Sequence, residues 1–170
     1  MRTIVRVIAW SAGALLALSP LAALAARTSL GVFGDWGAFR DAGAGHCYAI
    51  ATAQPDPRQR ERQPFMTVAT WPRSGVDGQV HWQLARMPGS SGIVAQIGGQ
   101  SFRLRAQGPN AWAQDARMDA AVKAAMRSAQ SLSVVYRDTK GRRFSDKYLL
   151  QGAATAMDAA TLGCARQQRQ

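Results

Sequence analysis

In Gln79-Val80-His81-Trp82-Gln83-Leu84-Ala85 apolar and polar side chains alternate with period two, and Phe102 and Leu104 fall on the opposite side from Arg103 and Arg105. A strand sends successive side chains to opposite faces, so both segments are half-buried strands of an antiparallel sheet with one wet face. Such strands need partners, and the chain offers them at short, Gly-punctuated intervals. Residues 30–39 read as one strand interrupted by glycine, with 47–52 as its hairpin partner across turn material at 41–45. Phe65–Trp71 resumes the pattern. Pro72 and Gly75 mark its end, and Val76-Asp77-Gly78 turns into 79–85. Gly98-Gly99 joins 92–97 to 101–105 as a tight hairpin. A last pair, 132–136 and 143–150, has Gly141 in its turn.

Two stretches carry helical periodicity instead. Asp115 stands at a capping position before Met118, Val122, Ala125 and Met126, which form one stripe with Arg117 and Lys123 off it, predicting a helix over Ala116–Ser128. An alanine-rich helix over 153–162 is expected to stop at Gly163, with Cys164 directly behind. About eight strands, two short helices and no βαβ alternation predict a mainly β fold: an antiparallel β-sandwich or partly closed barrel with the helices over one end.

The amino terminus sets the expected compartment. Arg2 and Arg6 precede an apolar run over 7–18, Pro20 breaks it, and Ala23-Leu24-Ala25 supplies small residues for cleavage, the layout of a secretory signal over 1–25 with the cut after Ala25. An uncleaved anchor is the alternative, and no cysteine stands at a lipobox position. The remainder, 26–170, suits one periplasmic or secreted domain able to bury its own core. Export turns Cys47 and Cys164 into a disulfide pair that clips the carboxyl terminus to an early strand. Two separate buried thiols are the other reading.

With 21 Lys+Arg against 10 Asp+Glu the chain is cationic. Arg58, Arg60 and Arg62 fall in one Pro/Gln-rich loop, and Lys140, Arg142 and Arg143 crowd one turn. Together they offer a basic face for lipopolysaccharide, phospholipid headgroups or acidic glycans, with peripheral membrane contact; solvated loops are the plainer alternative. An exported chain rarely meets nucleic acid, and no motif for it is present.

In order and spacing these features resemble the invasion-associated locus B family of exported proteobacterial proteins. The opening Gly34-Asp35-Trp36, the cysteine strand Cys47-Tyr48-Ala49-Ile50, Ala125-Met126-Arg127-Ser128-Ala129 before a hairpin, and Leu149-Leu150-Gln151-Gly152-Ala153 before the last helix are similar to the family's motifs. Where the family carries further cysteines this chain has Arg40 and the 109–112 region, so the resemblance leaves Cys47 to pair with Cys164. It implies an exported β-sandwich concerned with envelope or host interaction, with no catalytic residue to carry over.

Chemistry-bearing constellations are sparse. The two histidines, His46 and His81, give little scope for a metal site, and His81 is expected on the wet face of its strand or paired within the sheet. No nucleophile elbow surrounds a serine, and no phosphate-cradling loop occurs. Asp35, Asp77, Asp115 and Asp119 could supply paired carboxylates, but nothing selects two of them. Of Trp36, Trp71, Trp82 and Trp112, most are expected in the core. Trp112, read as lying in a loop before the first helix, is the one expected to make contacts. The expectation is a binding protein for an envelope protein, an anionic envelope component or a host surface, without catalytic residues, cofactor or metal, whose oligomeric state stays open. The alternatives are a structural or chaperone-like subunit with an exposed apolar patch, or a hydrolase gathering carboxylates and a histidine.

Overall fold

The computed structural model describes residues 27–57 and 62–165. The expected leader over 1–25, and Arg58 and Arg60, lie outside the described residues. Ten antiparallel strands make one sheet: β1 (Arg27–Phe33), β2 (Trp36–Asp41), β3 (His46–Thr52), β4 (Phe65–Trp71), β5 (Val76–Gln83), β6 (Pro88–Ile97), β7 (Gln100–Gln107), β8 (Asn110–Trp112), β9 (Ser131–Asp138) and β10 (Arg143–Leu149). Their order is β1-β2-β3-β4-β5-β8-β7-β6-β9-β10, so β1 and β10 are edges and the sheet is not closed into a barrel. The arrangement is instead sandwich-like, with the two ends drawn together. Trp36 Nε1 donates to Leu149 O at 2.9 Å, and the amide of Gln54 donates to Lys147 O at 2.6 Å.

Alternation decides which side of each strand is dry. In β9 Leu132, Val134, Tyr136 and Asp138 are buried, and in β10 Phe144, Asp146 and Tyr148 are, while the intervening residues are wetter. The inward side chains of both halves join with α1 (Ala116–Ser128) and α2 (Ala153–Ala165) in one core. Helix α1 begins where predicted, because Asp115 accepts a hydrogen bond from the Met118 amide at 2.8 Å. Val122, Ala125 and Met126 are its buried face. Asp119, one turn in, accepts from the Val80 amide at 2.8 Å and pins the helix to β5.

The disulfide forms as expected. Cys47 on β3 and Cys164 on α2 are bonded with their Cα atoms 5.7 Å apart, closing a separation of 117 residues. In the chain-entropy view such a loop stabilises by roughly 2–5 kcal/mol. Helix α2 does not stop at Gly163; it runs on to Ala165, and Gly163 is buried against β1, where a Cβ would press on Leu30. The glycine there serves close packing, which a stop-signal reading cannot separate from a cap.

Other boundaries also moved. The single strand expected over 30–39 is two strands folded at Gly34-Asp35, because Gly34 takes a positive φ of 56° and lets β1 return as β2. The turn expected at 76–78 lies earlier, at Pro72–Ser74 with Gly75 beyond it, and Val76 already belongs to β5. The third difference concerns Trp112, which is on a strand and not in a loop. The short β8 inserts between β5 and β7 after a tight turn at Gly108-Pro109. Three residues are too few to show a period.

Two of the segments that carry the family resemblance meet in space. The Asp35 amide donates to Gln151 O, Trp36 reaches Leu149 O, and a Cβ on Gly152 would overlap the Phe33 carbonyl. Gly34-Asp35-Trp36 and 149–152 are thus two sides of one joint that holds the sheet ends together, and Trp36 is wholly buried in it.

Candidate functional site

One residue of the first basic cluster picked out in the sequence meets two of the second. Arg62, from the loop before β4, and Lys140 and Arg142, from the β9–β10 turn, line one cavity of about 350 Å³ together with Arg86, Asp138 and Thr139. The turn is built on Asp138. Its carboxylate accepts from the Lys140 amide (2.9 Å), the Arg142 amide (2.9 Å) and Arg142 Nε (2.8 Å), and pairs with Arg142 Nη2 at 2.6 Å. Burial alone would raise the Asp138 pKa; these four donors outweigh it and hold the carboxyl below its usual range. Arg142 and Arg86 also lie over the Phe144 ring, at 5.8 and 5.2 Å from its centre. The cavity is therefore a braced rim with four cationic side chains and one acid, and that acid is already engaged.

Arg143 does not join the cavity. It lies on the outer face of the sheet, directly across from Arg137 in the β9–β10 pair, and both line a shallow recess beside Val94 and Gln96. Like charges set opposite each other in adjacent strands repel. Arg103 and Arg105 on β7 and Lys147 on β10 are exposed residues of the same face. Asp138 and Asp146, the acids of β9 and β10, both point inward and are buried. The outward positions of β6, β7, β9 and β10 thus carry no acid among the described residues.

Trp112 lies elsewhere, in a region whose other members, His46, Trp71 and His81 among them, the sequence did not offer as contact residues. Its ring is 5.1 Å from His81, which is 6.0 Å from Phe65. Arg105 packs over it at 5.8 Å. A second series runs Phe39 to Tyr48 (5.6 Å), Tyr48 to His46 (5.1 Å) and His46 to Trp71 (5.1 Å), each pair stacked. Between the two series is an open groove of about 500 Å³. His81 is on the wet face as expected, and its Nε2 hydrogen-bonds Asn110 Oδ1 at 2.9 Å. Partial burial holds its pKa below the ordinary value, against the opposing effect of the Asn110 hydrogen bond. The outward positions of β3, β4 and β5 held the signal, but it needs the pairing of non-neighbouring strands to become visible.

The aspartates weighed as catalytic carboxylates are used separately. Asp115 caps α1, Asp119 holds the Val80 amide, Asp77 accepts from the Thr70 hydroxyl at 3.2 Å, and Asp35 lies in the β1–β2 turn. Among the described residues no three His, Cys, Asp or Glu side chains are grouped so as to hold a metal ion. No helix among the described residues is long and apolar enough to cross a membrane. No family model, curated protein or solved structure matches this chain.

Proposed function

We propose that this chain is an exported envelope protein, resembling the invasion-associated locus B family, that binds a phosphate-bearing anionic envelope component without catalysing a reaction. The single observation that carries the reading is the convergence of Arg62, Lys140 and Arg142 on one cavity beside the Arg137–Arg143 pair. Arginine guanidinium groups match phosphate geometry, and a face without acids attracts anionic headgroups at about 1 kcal/mol per cation near the surface. The Cys47–Cys164 disulfide supports an oxidising location, the periplasm or beyond, for which the Arg2/Arg6 leader with a cut after Ala25 provides the route.

The test is co-sedimentation of the purified chain with vesicles containing lipopolysaccharide or phosphatidylglycerol, against neutral phosphatidylcholine vesicles. Binding is expected to the anionic vesicles alone and to fall steeply with salt. Arg62→Glu with Lys140→Glu, both at exposed positions, is expected to weaken it by more than tenfold. Equal binding to neutral vesicles, or an unaffected double variant, refutes the proposal.

A further inference from the structure

The aromatic groove lies on the outer face of β3, β4 and β5, away from the basic cavity, and nothing in the anion-binding reading uses it. Its floor combines short or hydrogen-bonding side chains with Ile50 of β3, which lies opposite Thr67. Thr67 and Ala69 on β4 stand beside His81 and Gln79 on β5, and Ala69 also faces Tyr48 on β3. Aromatic rings border it: His46 and Trp71 on one side, Phe65, His81 and Trp112 on the other. Both histidines of the chain are among them.

Three properties select the occupant. First, the border is aromatic and Ile50 is the one long aliphatic side chain in the lining, whereas the exposed large hydrophobic residues among the described ones, Val32, Met87 and Leu162, all lie outside the groove. A partner helix would ask for aliphatic ridges. Flat rings match the C–H faces of pyranoses, and the floor hydroxyl and amide match sugar hydroxyls. Second, about 500 Å³ in an open trough suits a chain passing through, and the size is that of a ligand site. Third, the charges are unequal. Arg27 stands at one end and Arg105 backs Trp112 at the other. The one acid, Asp41, is held by Arg27 at 3.2 Å and by the Ala44 amide at 2.9 Å. The amide hydrogen bond above all holds Asp41 below the usual carboxylate range.

From this we infer that the groove is a binding site for an acidic saccharide chain, its sugar rings stacked between Trp71–His46 and Trp112–His81 and its negative groups toward Arg27 and Arg105. The site is separate from the basic cavity, and either can exist without the other.

The experiment titrates the full exported chain with hexasaccharides of galacturonate, mannuronate and hyaluronan, read by calorimetry and tryptophan emission. Trp71 and Trp112 are partly exposed and report on the groove, while Trp36 and Trp82 are wholly buried. Saturable binding of at least one acidic hexasaccharide is expected. Trp71→Ala and Trp112→Ala should each weaken it about tenfold, with Trp71→Phe recovering part of the loss. The methyl ester of the galacturonate hexamer, which keeps the rings and removes the charges, should bind about fivefold more weakly. Lys140→Glu should leave saccharide binding unchanged, and Trp112→Ala should leave vesicle binding unchanged. Thermal unfolding of each variant separates lost binding from lost structure. No response to any of the three acidic hexasaccharides overturns the inference. So does equal binding of the methyl ester, or a loss of binding in Lys140→Glu that Trp112→Ala does not share.

Discussion

One outer face of one sheet carries two unlike surfaces. Over β3, β4, β5 and β8 the outward positions hold Tyr48, His46, Phe65, Trp71, His81 and Trp112 in stacked and edge contacts. Over β7, β6, β9 and β10 they hold Arg103, Arg105, Arg137, Arg143 and Lys147 among serine, glutamine and valine. The inner faces differ in a complementary way. The first half is floored with Ala38, Ala49 and Ala51, which let α2 come close enough for the Cys47–Cys164 bond, whereas the second offers Ile93, Ile97, Leu132, Tyr136, Phe144 and Tyr148 to fill the space. Folding constrains only the inward half of each strand, which must fill the core against whatever packs on it, small over β2 and β3 where α2 lies close. The outward half is free to carry binding groups.

The joint between the halves is the place to break this contrast. Trp36→Ala removes a wholly buried ring and its hydrogen bond to Leu149, and is expected to cost about 3–5 kcal/mol in denaturant unfolding. A loss under about 1 kcal/mol would mean the two sheet ends do not depend on that contact. Next in size, Cys164→Ser should cost roughly 2–4 kcal/mol. Hydrogen exchange should then speed up in α2 and β3 while the β9–β10 hairpin keeps its protection; uniform loosening would show that the halves are a single cooperative unit. Smaller still, Arg137→Glu with Arg143→Glu lies on the exposed basic face and should change stability by under about 0.5 kcal/mol per site, yet lower anionic vesicle binding about tenfold. If the double variant binds as well as the parent, the outer basic strip is ordinary solvated surface.

The smallest effect is on pH. The depressed His81 pKa means that the unfolded chain takes up a proton near its ordinary value of about 6.5 while the folded chain resists it. His81 thus contributes nothing to pH dependence above that value and a falling stability below it, until the folded ring itself titrates. His81→Gln should flatten the unfolding free energy below about pH 6.5. The depressed carboxyl of Asp138 acts lower, its contribution being lost as pH falls below about 4. A slope that survives in His81→Gln would assign the effect to another group.

Local rules reached a good part of the architecture. The capped helix Ala116–Ser128, the strand Phe65–Trp71 and the Gly98-Gly99 hairpin, whose glycines both take positive φ, follow from residues within one turn or one pleat of each other. The disulfide followed from compartment and count. Glycine was the weak point, since it marks a turn at Gly34, a close approach at Gly163 and a joint at Gly152 with the same letter. Where it lay within a strand-like run, the sequence could not say which role it had.

Residue order alone carries the alternation that makes strands, the caps and turns that end elements, and two clusters of cations. These depend on neighbours in the chain. The packed fold adds that Arg62 stands beside Lys140 and Arg142, that Trp112 meets His81 through the short β8, and that the sheet stays open with its ends joined at Trp36 and Leu149. Those relations depend on strand order, and strand order is set by which buried faces pack together, a property of the whole core that no single segment contains.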